Sequence, residues 1–107
     1  MSEATTSEER AARNEATFRD ANEEIAEAAA EMGAMPRVPF LCECEDPRCT
    51  AIMRVTLHVY GGVRRHPRRF LVRKGHDSDE RIVDEGDGFV VIEKDGRAGE
   101  VAEELAP

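Results

Sequence analysis

At 107 residues and a net charge of −8, the chain has the length of one small domain and is too acidic for strong non-specific binding to nucleic acids. Four Phe, one Tyr, no Trp and many alanines provide few large apolar side chains for a core. Small domains with such a core often depend on a bound metal or on an oligomeric interface.

No basic-apolar leader opens the sequence, and no apolar run approaches the ~20 residues that a membrane span needs. We therefore expect a cytoplasmic protein without membrane contact. Cysteines stay reduced in that compartment, and the chain has three of them, an odd number. Metal binding or redox chemistry is therefore favoured over structural disulfides.

The first predicted element is an amphipathic helix over residues 8–32, after a disordered N-terminus of residues 1–7. Gly33 is a suitable C-cap for this helix. Apolar residues recur along the helix every seven positions, at Ala11, Phe18, Ile25 and Met32. This stripe predicts packing either on the rest of the chain or on the same helix of a second copy, which would give a homodimer.

Residues 33–97 are predicted to form a zinc-stabilised, β-rich domain with a short helical insertion. Its predicted elements are a strand over residues 51–57, a short helix from Thr56 to about Arg65, a strand over residues 70–72 and a hairpin of residues 81–84 and 89–93. Residues 98–107 are predicted to be an acidic tail that forms one helical turn or frays. The predicted fold class is therefore α+β, a long N-terminal helix followed by a small antiparallel sheet with a zinc-bound loop.

All the cysteines lie within eight residues, as Cys42, Cys44 and Cys49. Alternate residues of a strand lie ~6.6 Å apart, whereas two sulfurs on one tetrahedral zinc lie ~3.8 Å apart, so the chain must curl between the first two. The pair Asp46-Pro47 predicts a turn that brings Cys49 back to them. This spacing predicts a structural zinc ion with a fourth ligand from elsewhere.

The fourth ligand is predicted to be a histidine. His76 follows Gly75 at the end of a predicted strand, where the backbone can turn sharply, and we predict that it completes the site. His58, near the start of the predicted short helix, is the alternative. His66 lies between two pairs of arginines, which disfavours a cation there.

Other chemistries for the cysteines have less support. A disulfide between Cys42 and Cys44 would be strained, and an iron–sulfur cluster with three cysteines and one histidine is uncommon. A nucleophilic cysteine needs a positioned base and an oxyanion site, and the sequence indicates neither. A redox or metal sensor, in which thiolate oxidation ejects zinc, stays an alternative.

The spacing Cys42-x-Cys44-x4-Cys49 is similar to the post-SET zinc motif of SET-domain lysine methyltransferases. This resemblance covers eight residues and supports the metal geometry without implying a methyltransferase.

A second pattern covers roughly residues 8–105. It consists of Arg13-Asn14-Glu15, Phe18-Arg19, Asn22-Glu23, Ile25, Phe40-Leu41-Cys42-Glu43-Cys44, Cys49, Pro67, Arg69-Phe70, Gly75-His76 and Val90-Val91-Ile92-Glu93-Lys94. In these residues the chain resembles a small family of uncharacterised proteins common in actinobacteria. The resemblance implies a shared fold, and the presence of Gly75-His76 in the pattern favours His76 as a ligand.

Charge divides the chain into three blocks. Residues 1–32 carry nine acidic and three basic residues, residues 33–76 three acidic and nine basic, and residues 77–107 eleven acidic and three basic. Six cations of the middle block lie close together, at Arg64, Arg65, Arg68, Arg69, Arg73 and Lys74. They form either a contact surface for phosphate, RNA or an acidic protein, or ion pairs with the acidic flanks, which the sequence favours.

The sequence contains no Ser-His-Asp set, no glycine-rich phosphate loop and no paired carboxylates in an apolar context. A zinc ion with four protein ligands has no open position for catalysis. We therefore predict a non-enzymatic, regulatory zinc-binding module that acts by binding a macromolecule, with a protein favoured as the partner. A nucleic-acid-binding regulator using residues 64–74 and the thiol-based sensor are the alternatives.

Overall fold

The computed structural model describes residues 7–33 and 36–106 and contains three helices and five strands within them. In chain order these are α1 (Ser7–Met32), β1 (Val38–Leu41), β2 (Ile52–Val55), α2 (Leu57–Arg64), β3 (Arg69–Arg73), β4 (Arg81–Gly86), β5 (Phe89–Glu93) and α3 (Gly96–Glu104). The α+β prediction is confirmed. Residues 1–6 of the predicted disordered N-terminus lie outside the described residues, whereas Ser7 begins α1.

The strands form two antiparallel sheets. β1 pairs with β2, and the cysteine-containing connection joins these two strands. The other three strands form a sheet in the order β3-β5-β4. The Glu43 N–H donates to the Leu71 carbonyl at 2.8 Å, so the cysteine-containing connection is bonded to β3.

Helix α2 begins where the sequence predicts it. The Thr56 hydroxyl accepts a hydrogen bond from the Val59 N–H at 3.1 Å, which satisfies one of the free donors at a helix N-terminus. Tyr60, on the buried side of α2, stacks on Phe40 of β1 with ring centroids 4.2 Å apart. The short helix therefore closes one side of the core.

The buried face of α1 differs from the predicted apolar stripe. Met32 is 67% exposed, and Ala11 and Phe18 are only partly buried. The most buried side chains of the helix are instead Ala12, Glu15, Ala16, Arg19, Asn22 and Ala29. Ile25 of the predicted stripe packs against the core, but Met32 does not, because polar side chains with buried partners turn a neighbouring face of the helix inward.

Helix α3 lies where the sequence predicts a frayed tail or a single helical turn. Its residues Ala98 and Val101 are buried against Ala12 of α1. Gly99 lets the start of α3 lie close to the end of the preceding strand, because a Cβ there would lie 2.7 Å from the Lys94 carbonyl oxygen. The C-terminal residues described by the structure are thus part of the folded core.

Candidate metal centre

The structure brings together the four residues that the sequence predicts as metal ligands. One donor atom from each of Cys42, Cys44, Cys49 and His76 lies within 4.8 Å of the other three donors. These four residues are called the Cys3His cluster below. Three of its members come from the β1–β2 connection, and His76 comes from the connection between β3 and β4.

Two distances within the Cys3His cluster fit a tetrahedral metal site. His76 Nδ1 lies 3.5 Å from Cys42 Sγ and 3.5 Å from Cys49 Sγ. In a tetrahedral zinc site, zinc–sulfur bonds of ~2.3 Å and zinc–nitrogen bonds of ~2.0–2.1 Å place the sulfur and the nitrogen ~3.6 Å apart. The four residues therefore lie close enough to hold a metal ion.

Local turns place the last two ligands. The Asp46 carboxylate accepts the Arg48 N–H at 2.9 Å, and the Asp46 carbonyl accepts the Cys49 N–H at 3.1 Å, so this aspartate directs the chain back toward Cys42. Gly75 has a φ of +93°, a conformation that costs glycine little. The His76 N–H then donates to the Arg73 carbonyl at 2.8 Å and closes the turn.

Burial disfavours the thiolate form of two cysteines in the cluster. Burial raises the pKa of the Cys42 thiol, although the Arg73 N–H donates to Cys42 Sγ at 3.2 Å and acts in the opposite direction. Burial also raises the pKa of the Cys44 thiol. A bound divalent cation would reverse this preference, because thiolate is the ligand form of cysteine. The three cysteines form no disulfide.

The other two histidines lie elsewhere. His58 is exposed on α2 and lines a pocket with Arg69 and Asp84 rather than joining the Cys3His cluster. His66 is also exposed and is outside the cluster. Among the histidines, the geometry therefore favours His76 over the alternative, His58.

A buried polar network beside the cluster is absent from the sequence-based prediction. The Glu43 side chain is fully buried, and one of its oxygens accepts hydrogen bonds from Asn22 at 2.9 Å and from the Tyr60 hydroxyl at 2.6 Å. Its other oxygen accepts the Leu71 N–H at 2.8 Å and lies 3.7 Å from the Arg64 guanidinium. These groups are called the Glu43 network. They join α1, α2 and β3 to Glu43, which lies between the predicted ligands Cys42 and Cys44.

A second buried charge cluster holds the connection that carries His76. The Lys94 ammonium lies 2.9 Å from a Glu15 oxygen and 2.6 Å from a Glu80 oxygen. Burial acts to lower the pKa of Lys94, but the two carboxylates together hold it above its usual value. Because Glu80 lies just beyond His76 in the chain, this ion pair anchors one end of the ligand-bearing connection to α1.

Spacing gives a partial signal for these buried polar residues. Glu15, Arg19 and Asn22 recur at intervals of four and three along α1, which places them on one helical face. Each of the three is at most 1% exposed. Polar residues at this spacing in an alanine-rich helix predict a solvent-exposed face, unless the buried partners of their side chains are known.

Glu15 is expected to make stability depend on pH. Burial raises its pKa to about 7, against the attraction of Lys94, and the carboxylates of Glu80 and Glu45 act in the same direction as burial. Between its unfolded pKa of ~4.3 and this value, the folded state binds more protons than the unfolded state, so the free energy of unfolding falls as pH rises. From about pH 5.5 to pH 7 the free energy of unfolding falls by about 1.6 kcal/mol through this group, which is half-ionised at pH 7.

Denaturant unfolding of the wild type and the Glu15→Gln variant across pH 5.5 to 8 tests this expectation. The difference in unfolding free energy between the two proteins should change by the stated amount up to pH 7 and level off by about pH 8, because Glu15 titrates and Gln does not. Glu24→Gln, on the exposed side of the same helix, should differ from the wild type by a constant amount. Parallel curves for the wild type and Glu15→Gln would contradict the assigned pKa.

Most cations of the predicted basic contact surface make ion pairs within the chain. Four of the six are paired, in Arg64–Glu43, Arg68–Glu103, Arg69–Glu93 and Lys74–Glu85. Arg65 and Arg73 are exposed and make no ion pair with the residues that the structure describes. The structure thus divides this segment into four cations that have carboxylate partners in the chain and two exposed arginines that have none among the described residues.

No protein-family model matches the chain, and no match was found among curated proteins or solved structures. Within residues 7–33 and 36–106, none of the helices has both the length and the apolar character required to cross a lipid bilayer.

Proposed function

We propose that this chain is a zinc-stabilised, non-catalytic module of the cytoplasm that acts by binding another protein. The observation that carries the proposal is the Cys3His cluster, with its donor atoms within 4.8 Å of one another. Thiolate and imidazole together suit zinc, and four protein ligands fill its tetrahedral shell. A filled shell supports a structural role, because a catalytic zinc keeps one position open to water or substrate.

The metal would join two connections that come from different parts of the chain. The β1–β2 connection supplies the three cysteines, and the β3–β4 connection supplies His76 next to Ser78 and Asp79, which both have positive φ. Left-handed backbone at two consecutive non-glycine residues costs energy, so other contacts must hold it. The metal at one end and the Lys94–Glu80 ion pair at the other would supply them.

The proposed regulatory role through protein binding is supported by the exposed surface. Large apolar side chains at Ile52, Val59 and Ile82 are exposed, and Arg65 and Arg73 add unpaired positive charge. A nucleic-acid-binding role for residues 64–74 has less support, because Arg64, Arg68, Arg69 and Lys74 make ion pairs within the chain.

Metal analysis of the native protein by mass spectrometry tests the zinc site. We expect one zinc ion per chain, none in Cys49→Ser, and an affinity reduced by more than about 100-fold in His76→Ala. His58→Ala is the matched control and should retain the wild-type zinc content, since His58 is exposed outside the cluster. Equal zinc content in all four proteins, or a different metal in the native protein, would contradict the proposal.

A thiol-based sensor is the second candidate, and the exposure of Cys49 supports it. Cys49 is half-buried, whereas Cys42 and Cys44 are buried, so an oxidant reaches Cys49 first. Peroxide would take two electrons from Cys49 and a neighbouring thiolate, which form a disulfide as peroxide is reduced to water, and two ligands would be lost. Zinc release at one peroxide per chain would favour the sensor, and retention would favour the purely structural site.

A further inference from the structure

Three arginines line one pocket on the side of β2. The pocket has a volume of about 340 Å³ and lies between β2, the end of β3 and the turn that joins β4 to β5. Its lining residues, called the arginine pocket below, are Arg37, Ile52, Met53, Arg54, Arg73, Asp87 and Gly88. Only Arg73 belongs to the basic segment that the sequence predicts as a contact surface.

The lack of internal partners is informative in so acidic a chain. The sequence has 23 acidic and 15 basic residues, so carboxylates are abundant. In the part of the chain that the structure describes, Arg37, Arg54 and Arg73 nevertheless make no ion pair, whereas Arg64, Arg68 and Arg69 are paired. Three like charges around one pocket repel one another unless an anion lies between them.

The backbone fixes where two of the arginines lie. Arg54 pairs with Pro39 in the β1–β2 ladder, and Arg73 pairs with Phe89 at the end of β3. The Lys74 N–H donates to the Gly88 carbonyl at 3.1 Å, which attaches the β4–β5 turn to the end of β3. Because the guanidinium groups start from regular strands, little backbone ordering is needed when a ligand binds.

The chemistry of the pocket selects phosphate. Guanidinium groups donate two parallel hydrogen bonds to phosphate oxygens, and three of them match the charge of a di- or triphosphate. The volume lies at the lower end of small-molecule sites, and Ile52, 55% exposed, offers an apolar contact for the organic part of a ligand. The patch is confined to one pocket in a chain of net charge −8, which disfavours a long polyanion.

We propose that Arg37, Arg54 and Arg73 bind the phosphate groups of a small ligand of nucleotide size. This site contains none of the four residues of the Cys3His cluster, although the Arg73 N–H donates to Cys42 Sγ at 3.2 Å, and it goes beyond the binding of a partner protein. Among the lining residues that the structure describes, Asp87 alone carries a carboxylate, which opposes the binding of an anion. Its removal should therefore strengthen binding, whereas removal of an arginine should weaken it.

Calorimetric and NMR titrations of the metal-loaded protein with tripolyphosphate and with ATP test the proposal. We expect saturable binding below about 1 mM at low salt, weakened as ionic strength rises. Arg54→Ala should weaken binding about tenfold, and Asp87→Asn should strengthen it about threefold. Arg65→Ala is the matched control, because Arg65 is exposed, makes no ion pair within the described chain and lies outside the arginine pocket. The affinity of this variant for both phosphate probes should stay within about twofold of the wild-type value.

The two probes distinguish the sources of phosphate. Tighter binding of ATP than of tripolyphosphate would assign an organic phosphate in contact with Ile52, whereas equal affinity would assign the phosphate groups alone. Opposite effects of Arg54→Ala and Asp87→Asn would support the site, since a general loss of structure weakens both variants. The proposal is overturned if neither probe saturates, or if Arg65→Ala loses as much affinity as Arg54→Ala. Tighter binding of a 12-nucleotide RNA or of a glutamate-rich peptide through the same arginines would also overturn it.

Discussion

Removing the metal from the Cys3His cluster is expected to unfold the protein. Structural zinc contributes about 10–16 kcal/mol of binding free energy in small zinc domains, which equals or exceeds the ~5–15 kcal/mol net stability of a typical domain. Without the metal, burial favours the neutral thiols, because it raises the pKa of Cys42 and Cys44. The two connections that carry the ligands then lose their mutual attachment. Loss of dispersed NMR signals after addition of a zinc chelator would measure this.

Two controls separate metal loss from other effects of a chelator. Zinc added back in excess should restore the folded spectrum, whereas magnesium should not, because thiolates are poor ligands for magnesium. Cys42→Ser should resemble the chelated wild type and show no further change with chelator. A folded spectrum that persists after complete zinc removal would show that the cluster contributes little to stability.

The four residues of the Cys3His cluster can be predicted from the sequence because their chemistry and their turns are local. Cys42, Cys44 and Cys49 lie within eight residues, and Asp46 forms the predicted turn between the last two. His76 is remote in sequence, but Gly75 before it marks a sharp turn, and the structure has that turn with a positive φ. Ligand type and turn chemistry were therefore sufficient to find the four residues that the structure brings together.

The packing face of α1 cannot be predicted in the same way. The buried guanidinium of Arg19 donates to the Pro67 carbonyl at 2.8 Å and to the Ala102 carbonyl at 3.1 Å, and it lies 5.0 Å from the Phe70 ring centroid. The two carbonyl groups lie 48 and 83 residues from Arg19 in the sequence. Hydrophobic periodicity places a charged residue on the solvent-exposed side of a helix, because it contains no information about partners so distant in sequence.

Helix α3 and the arginine pocket also depend on contacts between residues that are distant in the sequence. The apolar face of α3 consists of small residues, such as Ala98 and Ala102, which contribute little to a periodic hydrophobic signal. Charge blocks alone correctly favoured internal pairing for much of the basic segment. They did not identify Arg37 and Arg54, which the β1–β2 sheet places beside Arg73.

The Glu43 network lies between two residues of the Cys3His cluster, Cys42 and Cys44. Glu43 faces the core there, where Asn22 and Tyr60 donate to one oxygen and the Leu71 N–H donates to the other. Burial and the adjacent carboxylate raise the pKa of Tyr60, which keeps its hydroxyl protonated as a donor. All three contacts require a side chain with two acceptor oxygens.

Glu43→Gln is therefore expected to destabilise the protein by about 2–4 kcal/mol without removing the metal. The amide supplies one acceptor and one donor group, so its N–H groups must face either the Leu71 N–H or the donors from Asn22 and Tyr60. Glu45→Gln is the matched control, because Glu45 follows Cys44 in the same motif but is exposed, and its effect should stay within about 0.5 kcal/mol. Chemical denaturation gives the free energies, and metal analysis of the same samples gives the zinc content. Equal stability of the two variants would show that the Glu43 network is dispensable, whereas loss of zinc from Glu43→Gln alone would show that it positions the ligands on either side of it.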